Sequence, residues 1–286
     1  MNVLGTDFGF FFQSAGFDIS HAPLAFASTD TYALAFAVGL INTLMMAALA
    51  GVGALLLGVF IGVGSTVGNG VSRAGLGGFV GLMRNLPKLL VLLAVYVALL
   101  QVLPSPDEPW GFAGSVFLSN EGLNFSVYDF ALGQWDVPSM SRFGLSGGML
   151  IPMQFLALWF TLVVYHGAQV GEIVRGGLQS IPKGQWEAAS ALGLGTSLKI
   201  RRVILPQVFR QIIPSLISQV INLLKNTSIG LAVGFVDLMS VASTTINQAF
   251  KPIEVMVVVM VLYLSVGLLL STSLNLLNQR LRKGWA

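Results

Sequence analysis

The chain has 286 residues, of which 55% are apolar and 9% charged, and its mean hydropathy is +0.80. A soluble domain carries about 25% charged residues, so a globular soluble surface is excluded, and so apolar a chain would collapse rather than stay disordered. The absence of cysteine removes disulfide scaffolds, thiol catalysis and cysteine metal sites, which leaves a polytopic membrane protein as the reading.

Residues 1–32 form a lead-in. The first 30 residues contain no Lys or Arg, so a secretory signal with a basic n-region is not expected. Phe8, Phe10, Phe11 and Phe12, followed by Asp18, have an interfacial character. A spanning helix needs about 20 mostly apolar residues. Five runs qualify: Ala33–Val63, Leu86–Leu103, Met149–Val170, about Val208–Leu224 and about Val255–Leu277. Gly230–Val241 is apolar but too short to cross, and reads as re-entrant or interfacial.

Lys and Arg are retained on the cytoplasmic side of a membrane. With five spans and the N-terminus outside, the inner segments hold Arg73, Arg84 and Lys88, then Arg175, Lys183, Lys199, Arg201, Arg202 and Arg210, then Arg280, Arg282 and Lys283. Arg142 and Lys251 fall outside, and Lys225 lies at or within the fourth span. The carboxylates sort the other way, with Glu172 and Glu187 alone inside. This accounts for the sequence pI of about 9.3 without nucleic acid. The outer segment Pro104–Gly148, with four prolines and Trp110 and Trp135, is expected to pack as an irregular cap or a short hairpin.

Three helix faces stand out. In the first span Ala50, Ala54, Gly58 and Gly62 recur every fourth residue, a row expected to let another helix approach closely. The third span carries Tyr165, His166, Gln169 and Glu172, which read as a helix nearing its polar inner end, with Glu172 able to pair with Arg175. In the fourth, Ser215, Ser218, Gln219, Asn222, Lys225 and Asn226 fall at steps of three and four. Such a stripe is costly in hydrocarbon and must face a partner helix or a wet cavity. Spacing alone leaves both open. Pro214 removes one backbone hydrogen bond from the same helix.

The inner loop 171–206 is the most specific stretch. Pro182 can start a short helix, Gln185–Leu192 is helix-prone, and Gly193 and Gly195 end it. Thr196 or Ser197 can cap the next helix. A short helix held between turns suits insertion into a groove of another protein; it is equally what a structured cytoplasmic loop would contain.

Glu187-Ala188-Ala189, then Gly193, then Val203, Leu205 and Pro206, closely resembles the EAA loop of ATP-binding-cassette importer permeases, with Val203 where that motif has Ile. Glu172–Gly177, Gln179–Pro182, Arg84-Asn85-Leu86-Pro87 and Leu224–Ile229 resemble the polar amino-acid branch of that family. The stretches AGFDIS (15–20) and VGFVDL (233–238) look most like its general L-amino-acid permease subunits. Gln169 and Gly171 depart from the branch, which often has an aromatic and an alanine there.

The resemblance implies an all-α membrane protein, a type I importer permease with a five-helix core (residues 33–286) and a cytoplasmic coupling helix. Its location would be the bacterial inner membrane. It would pair with an identical or homologous permease. Two cytoplasmic ATPase subunits, which bind ATP and Mg, would grip Glu187, Ala188, Ala189, Leu192, Gly193 and Gly195, and a periplasmic amino-acid-binding protein would deliver cargo. This chain would be no enzyme and hold no cofactor. For an amino-acid cargo, Lys225 can offer a charge-assisted bond to the carboxylate, with Asn226, Thr227 and Ser228 as donors and Gln219 and Asn222 one and two turns below. An ion-coupled secondary amino-acid transporter is the alternative, although the spans hold almost no carboxylate besides Glu172. An intramembrane enzyme is disfavoured. His21 and His166 are the only histidines, and neither HExxH nor a Walker A loop is present.

Overall fold

The computed structural model describes residues 7–19, 24–112, 114–130, 133–141 and 144–283. His21, Arg142 and residues 1–6 of the lead-in, all used in the sequence reading, lie outside the described residues. In chain order, the helices are α1 (Tyr32–Val67), α2 (Gly70–Asn85), α3 (Lys88–Val102), α4 (Met153–Ser180), α5 (Lys183–Ala191), α6 (Thr196–Lys199), α7 (Leu205–Asn226), α8 (Leu238–Ala249) and α9 (Pro252–Lys283). A π-helical turn, Ile200–Ile204, joins α6 to α7, and a 3-10 stretch, Thr227–Val233, continues α7. Among the described residues, four helical runs are long and apolar enough to cross a membrane: Tyr32–Val67, Met153–Ser180, Thr196–Val233 and Pro252–Arg280. The bent pair α2 and α3 passes the same test only together, giving up to five spans. Its break falls at Leu86-Pro87, because proline disfavours helical backbone in the residue before it.

The third span differs from its expected bounds at both ends. Met149–Pro152 is a β-strand paired with Gly122–Phe125, so the helix starts at Met153. It also runs past Val170, because Val174 and Leu178 extend the buried apolar row that packs against Ile204, Val208 and Ile212. The helix stops at Ser180, before Ile181-Pro182.

The outer segment is not an irregular cap or a single hairpin. Strands β1 (Trp110–Phe112), β2 (Val116–Ser119), β3 (Gly122–Phe125) and β8 (Met149–Pro152) form an antiparallel sheet in the order β1-β2-β3-β8. The register sets Leu118 opposite Leu123 and Leu123 opposite Ile151. Two further hairpins pair β4 (Val127–Asp129) with β5 (Gln134–Asp136) and β6 (Ser139–Ser141) with β7 (Gly144–Ser146). These three- and four-residue strands alternate too briefly to be read from periodicity.

The chain divides into two compact units. The first takes residues up to Met46, then Pro87–Thr161 and Thr227–Val259. In it, α1 is tied to the start of α8: Asn42 Nδ2 donates to the Val236 carbonyl at 2.8 Å, and the Leu238 amide donates to Thr43 Oγ1 at 3.1 Å. Gly39 makes this approach possible, since a Cβ there would lie 2.9 Å from Val241 Cγ2. Asp237 caps α8 through the Ser240 amide at 2.9 Å.

The second unit takes Ala47–Leu86, Leu162–Asn226 and the chain from Met260. Here α1 and α4 pack through small residues. Ala50 and Ala54 are buried, and a Cβ on Gly58 or Gly62 would meet Val170 or Val174 at 2.4 or 2.5 Å. The row in the first span is therefore helix packing. Elsewhere α1 and α9 expose Leu56, Phe60, Leu264 and Leu269, as apolar helices in lipid do.

Candidate functional site

Two sets of residues predicted from sequence can be followed in the structure. The first sits on α5. The helix starts at Lys183, with Pro182 at its N-cap, and is anchored by Trp186, which packs on the core formed by Leu178, Ile181 and Ile204. It ends in a Schellman motif: the Leu194 amide donates to the Ala189 carbonyl at 3.3 Å and the Gly193 amide to the Ser190 carbonyl at 2.9 Å. Gly193 has φ +69°, which only glycine adopts without strain. Gly195, rather than Thr196 or Ser197, is the N-cap of α6, and no side chain caps it.

This geometry sorts the six predicted interface residues. Glu187, Ala188, Leu192, Gly193 and Gly195 are exposed, and Leu192 is 78% exposed. Ala189 is buried and faces the chain itself, so its small side chain serves the seat of α5. The result is a nine-residue helix and its tight turn, offered outward with one carboxylate and an unprotected leucine.

The second set lies on α7. Ser215, Ser218, Asn222 and Lys225 share an exposed face, whereas Gln219 and Asn226 are half-buried toward α4. There they meet His166, which is buried. Its Nδ1 lies 3.4 Å from Gln219 Oε1 and its Nε2 lies 3.0 Å from Asn226 Nδ2. This pairing fits the tautomer with its proton on Nδ1, donating to Gln219 and accepting from Asn226. His166 was read from sequence as a residue at a polar helix end. No spacing signal connects it to partners 53 and 60 residues away.

Thr227 and Ser228 belong to the first unit, where the buried Thr227 hydroxyl is directed at the Asp237 carboxylate. Burial pushes Asp237 up to about 6, against the opposing pull of the amides of Ser240, Met239 and Asp237 itself and of Thr227.

Two cavities border Gln219. One, about 350 Å³, is lined by His166, Val170, Leu216 and Leu223 among other residues and is mostly apolar. The other, about 320 Å³, is polar and lined by Arg84, Gln169, Glu172, Ile173 and Gln219. Glu172 binds Arg175 through both carboxylate oxygens, at 2.7 and 2.5 Å, as the three-residue spacing predicts, and Arg84 stands 3.9 Å away. The second unit therefore joins Asn226, His166 and Gln219 in one bonded group, and Gln219 shares a polar cavity with Gln169 and Glu172. Among the described residues no group of three or more His, Asp or Glu could hold a metal ion.

The model of one protein family, the inner membrane components of binding-protein-dependent transport systems, matches residues 54–283. The chain belongs to that family. This permease is 33% identical to the general L-amino acid transport system permease protein AapQ of Rhizobium johnstonii, over 96% of this chain and 83% of that protein. It is also 33% identical to the putative amino-acid ABC transporter permease protein YhdX of Escherichia coli strain K12, over 98% of this chain and 87% of that one. A crystal structure of an amino acid ABC transporter with histidines superposes with a TM-score of 0.64 at 26% identity, covering 87% of this chain and 95% of its own. The inward-facing methionine ABC transporter MetNI gives the same TM-score at 17% identity, covering 86% and 96%, and so shares the fold. The permease thus has the type I ABC importer fold, is membrane-embedded, and works with ATPase and binding-protein partners rather than as an enzyme. The family match leaves an ion-coupled carrier without support.

Proposed function

We propose that the permease carries amino acids into the cell along the polar face of α7, by alternating access driven from α5. The single observation that carries this reading is the exposed polar row Ser215, Ser218, Asn222 and Lys225 on α7, a helix whose buried side is Val208, Ile212, Ile217, Leu223 and Leu224. A polar face inside a membrane needs a wet cavity or a second protein. A second permease, identical or homologous, set against this face would enclose such a cavity. Lys225 would then meet the cargo carboxylate with a charge-assisted bond, Asn222 and Asn226 would supply further donors, and His166 would hold Gln219 and Asn226 in place.

The remaining partners follow. Of two ATPase subunits, holding ATP and Mg, one would seat the exposed face of α5 and clamp Glu187 and Leu192, and the other would seat the corresponding helix of the second permease. Their closure would favour one access state over the other through differential binding. The Lys and Arg distribution supports an outer N-terminus and an inner C-terminus in a bacterial inner membrane. A binding protein would deliver cargo on the outer side, where the first unit has a cavity of about 510 Å³ lined by Asp18, Asn42, Asn120, Glu121 and Gln154 among others.

The deciding experiment is uptake and cargo-stimulated ATPase in the reconstituted complex with Lys225→Met. A bond to a charged group contributes about 1.5–3 kcal/mol, so uptake should fall about tenfold or more while the ATPase still copurifies. Undiminished uptake in an assembled complex would remove Lys225 from the cargo path.

A further inference from the structure

The second unit contains a second charged cavity, about 390 Å³, lined by Ser65 of α1, Arg73, Gly77, Gly81 and Arg84 of α2, and Gly171, Glu172 and Arg175 of α4 among other residues. Three guanidinium groups face one carboxylate. Glu172 is already bound to Arg175, so the cavity keeps an excess of positive charge. Among the described residues no carboxylate lies within 4.0 Å of Arg73, and Gly70–Asn85 contains no Asp or Glu to supply one. Arg73, Gly77, Gly81 and Arg84 share one face of α2, and a Cβ on either glycine would meet nothing within 4 Å. The floor of the cavity is therefore open backbone.

The opposite side of α2 is apolar and uncovered: Val71 is 83% exposed and Leu82 55%. Between the two faces, Leu76, Phe79, Val80 and Met83 hold the helix to Ile61 and Ala168. A helix with an apolar side, basic groups and no acid rests at the boundary between acyl chains and headgroups. That depth brings its arginines level with lipid phosphates. Guanidinium forks bind phosphate by paired hydrogen bonds, and basic pockets between membrane helices on the cytoplasmic side suit anionic headgroups.

We propose that this cavity binds the phosphodiester headgroup of an anionic inner-leaflet phospholipid, with Arg73 as its unneutralised anchor and Arg84, which also stands 3.9 Å from Glu172, beside it. Arg73 and Gly77 line this cavity and not the polar cavity beside Gln219, while Arg84 and Glu172 border both. It would tie α2, and through it α1 and α4, to the charge of the membrane.

The test is native mass spectrometry of the purified permease–ATPase complex, taken from phosphatidylcholine nanodiscs containing phosphatidylglycerol. The wild type should retain phosphatidylglycerol in preference to phosphatidylcholine. Arg73→Gln should lower that retention at least fivefold, and Arg73→Lys, which keeps the charge but loses the paired hydrogen bonds, should recover part of it, which separates loss of charge from misfolding. Soluble glycerol phosphate at millimolar concentration should not displace the lipid. Equal retention of both lipids, unchanged phosphatidylglycerol retention in Arg73→Gln, or full displacement by glycerol phosphate would each overturn the proposal.

Discussion

The two compact units use polar side chains in opposite ways. In the first, Asn42, Thr43, Thr227 and Asp237 are all buried; Asn42 and Thr43 bond backbone groups at the start of α8, and Asp237 accepts from the Ser240 amide and from the Thr227 hydroxyl. In the second, Ser215, Ser218, Asn222 and Lys225 stand exposed, and His166 bonds the side chains of Gln219 and Asn226. Backbone partners fix one arrangement, because every group has a position set by its helix. Side chain to side chain contacts can be exchanged for contacts with a cargo or a partner chain. The first pattern holds a fold, and the second is what a transport path requires. Substitutions in the first unit should therefore alter stability before transport, and those in the second should do the reverse.

The largest contrast should come from α5. Glu187→Arg changes an exposed charge, so the melting temperature of the detergent-solubilised permease should stay within a degree or two of wild type. Breaking a charge contact at an interface costs about 2–5 kcal/mol, so ATPase copurification and uptake should fall at least thirtyfold. Retained ATPase binding would detach α5 from the interface and place this part of the second unit among the purely structural regions.

A middle-sized effect belongs to His166. His166→Ala removes both ring contacts and leaves Gln219 and Asn226 without them in a half-buried position, a loss of about 1–3 kcal/mol. Uptake should drop about five- to tenfold with ATPase copurification intact. His166→Gln, which can still donate and accept, should recover part of it. A variant that melts far lower but transports normally once folded would mean that His166 belongs with the structural polar groups.

These regions were not equally legible in the sequence. The α5 turn was, because a Schellman motif is set by a few consecutive residues: Gly193 must take φ +69° and Leu194 must reach back to Ala189. Helix faces were also legible, since the row Ala50, Ala54, Gly58 and Gly62 and the pair Glu172–Arg175 depend on helical period alone. Within the EAA triplet, however, only tertiary packing decides that Ala189 turns inward while Glu187 and Ala188 face out. The link from His166 to Gln219 and Asn226 depends on how α4 lies against α7, which no local pattern encodes. The same holds for Thr227, which continues the stripe in sequence but enters a 3-10 turn and points at Asp237. The outer sheet escaped notice because its strands are short and its register is closed by β8, a segment whose apolar run looked like the start of α4.

The smallest effect on uptake, and the one that isolates the first unit, is expected at Asp237. Its pKa is raised to about 6 from an ordinary value of 3.8, because burial disfavours the charged form. The folded state thus holds its proton more tightly than the unfolded state. Stability from this group is fully present below about pH 4, declines as pH rises toward 6, and is flat above that. The span of about two units corresponds to about 3 kcal/mol at most. Asp237→Asn keeps an oxygen to accept from the Ser240 amide and cannot titrate. Its melting temperature should therefore match wild type near pH 4 and equal or exceed it at pH 7.5, with cargo uptake at neutral pH changed by less than twofold. An unaltered pH slope in the variant would assign the titration to another group. A large loss of uptake without loss of stability would show that the first unit, too, has polar groups in the transport path.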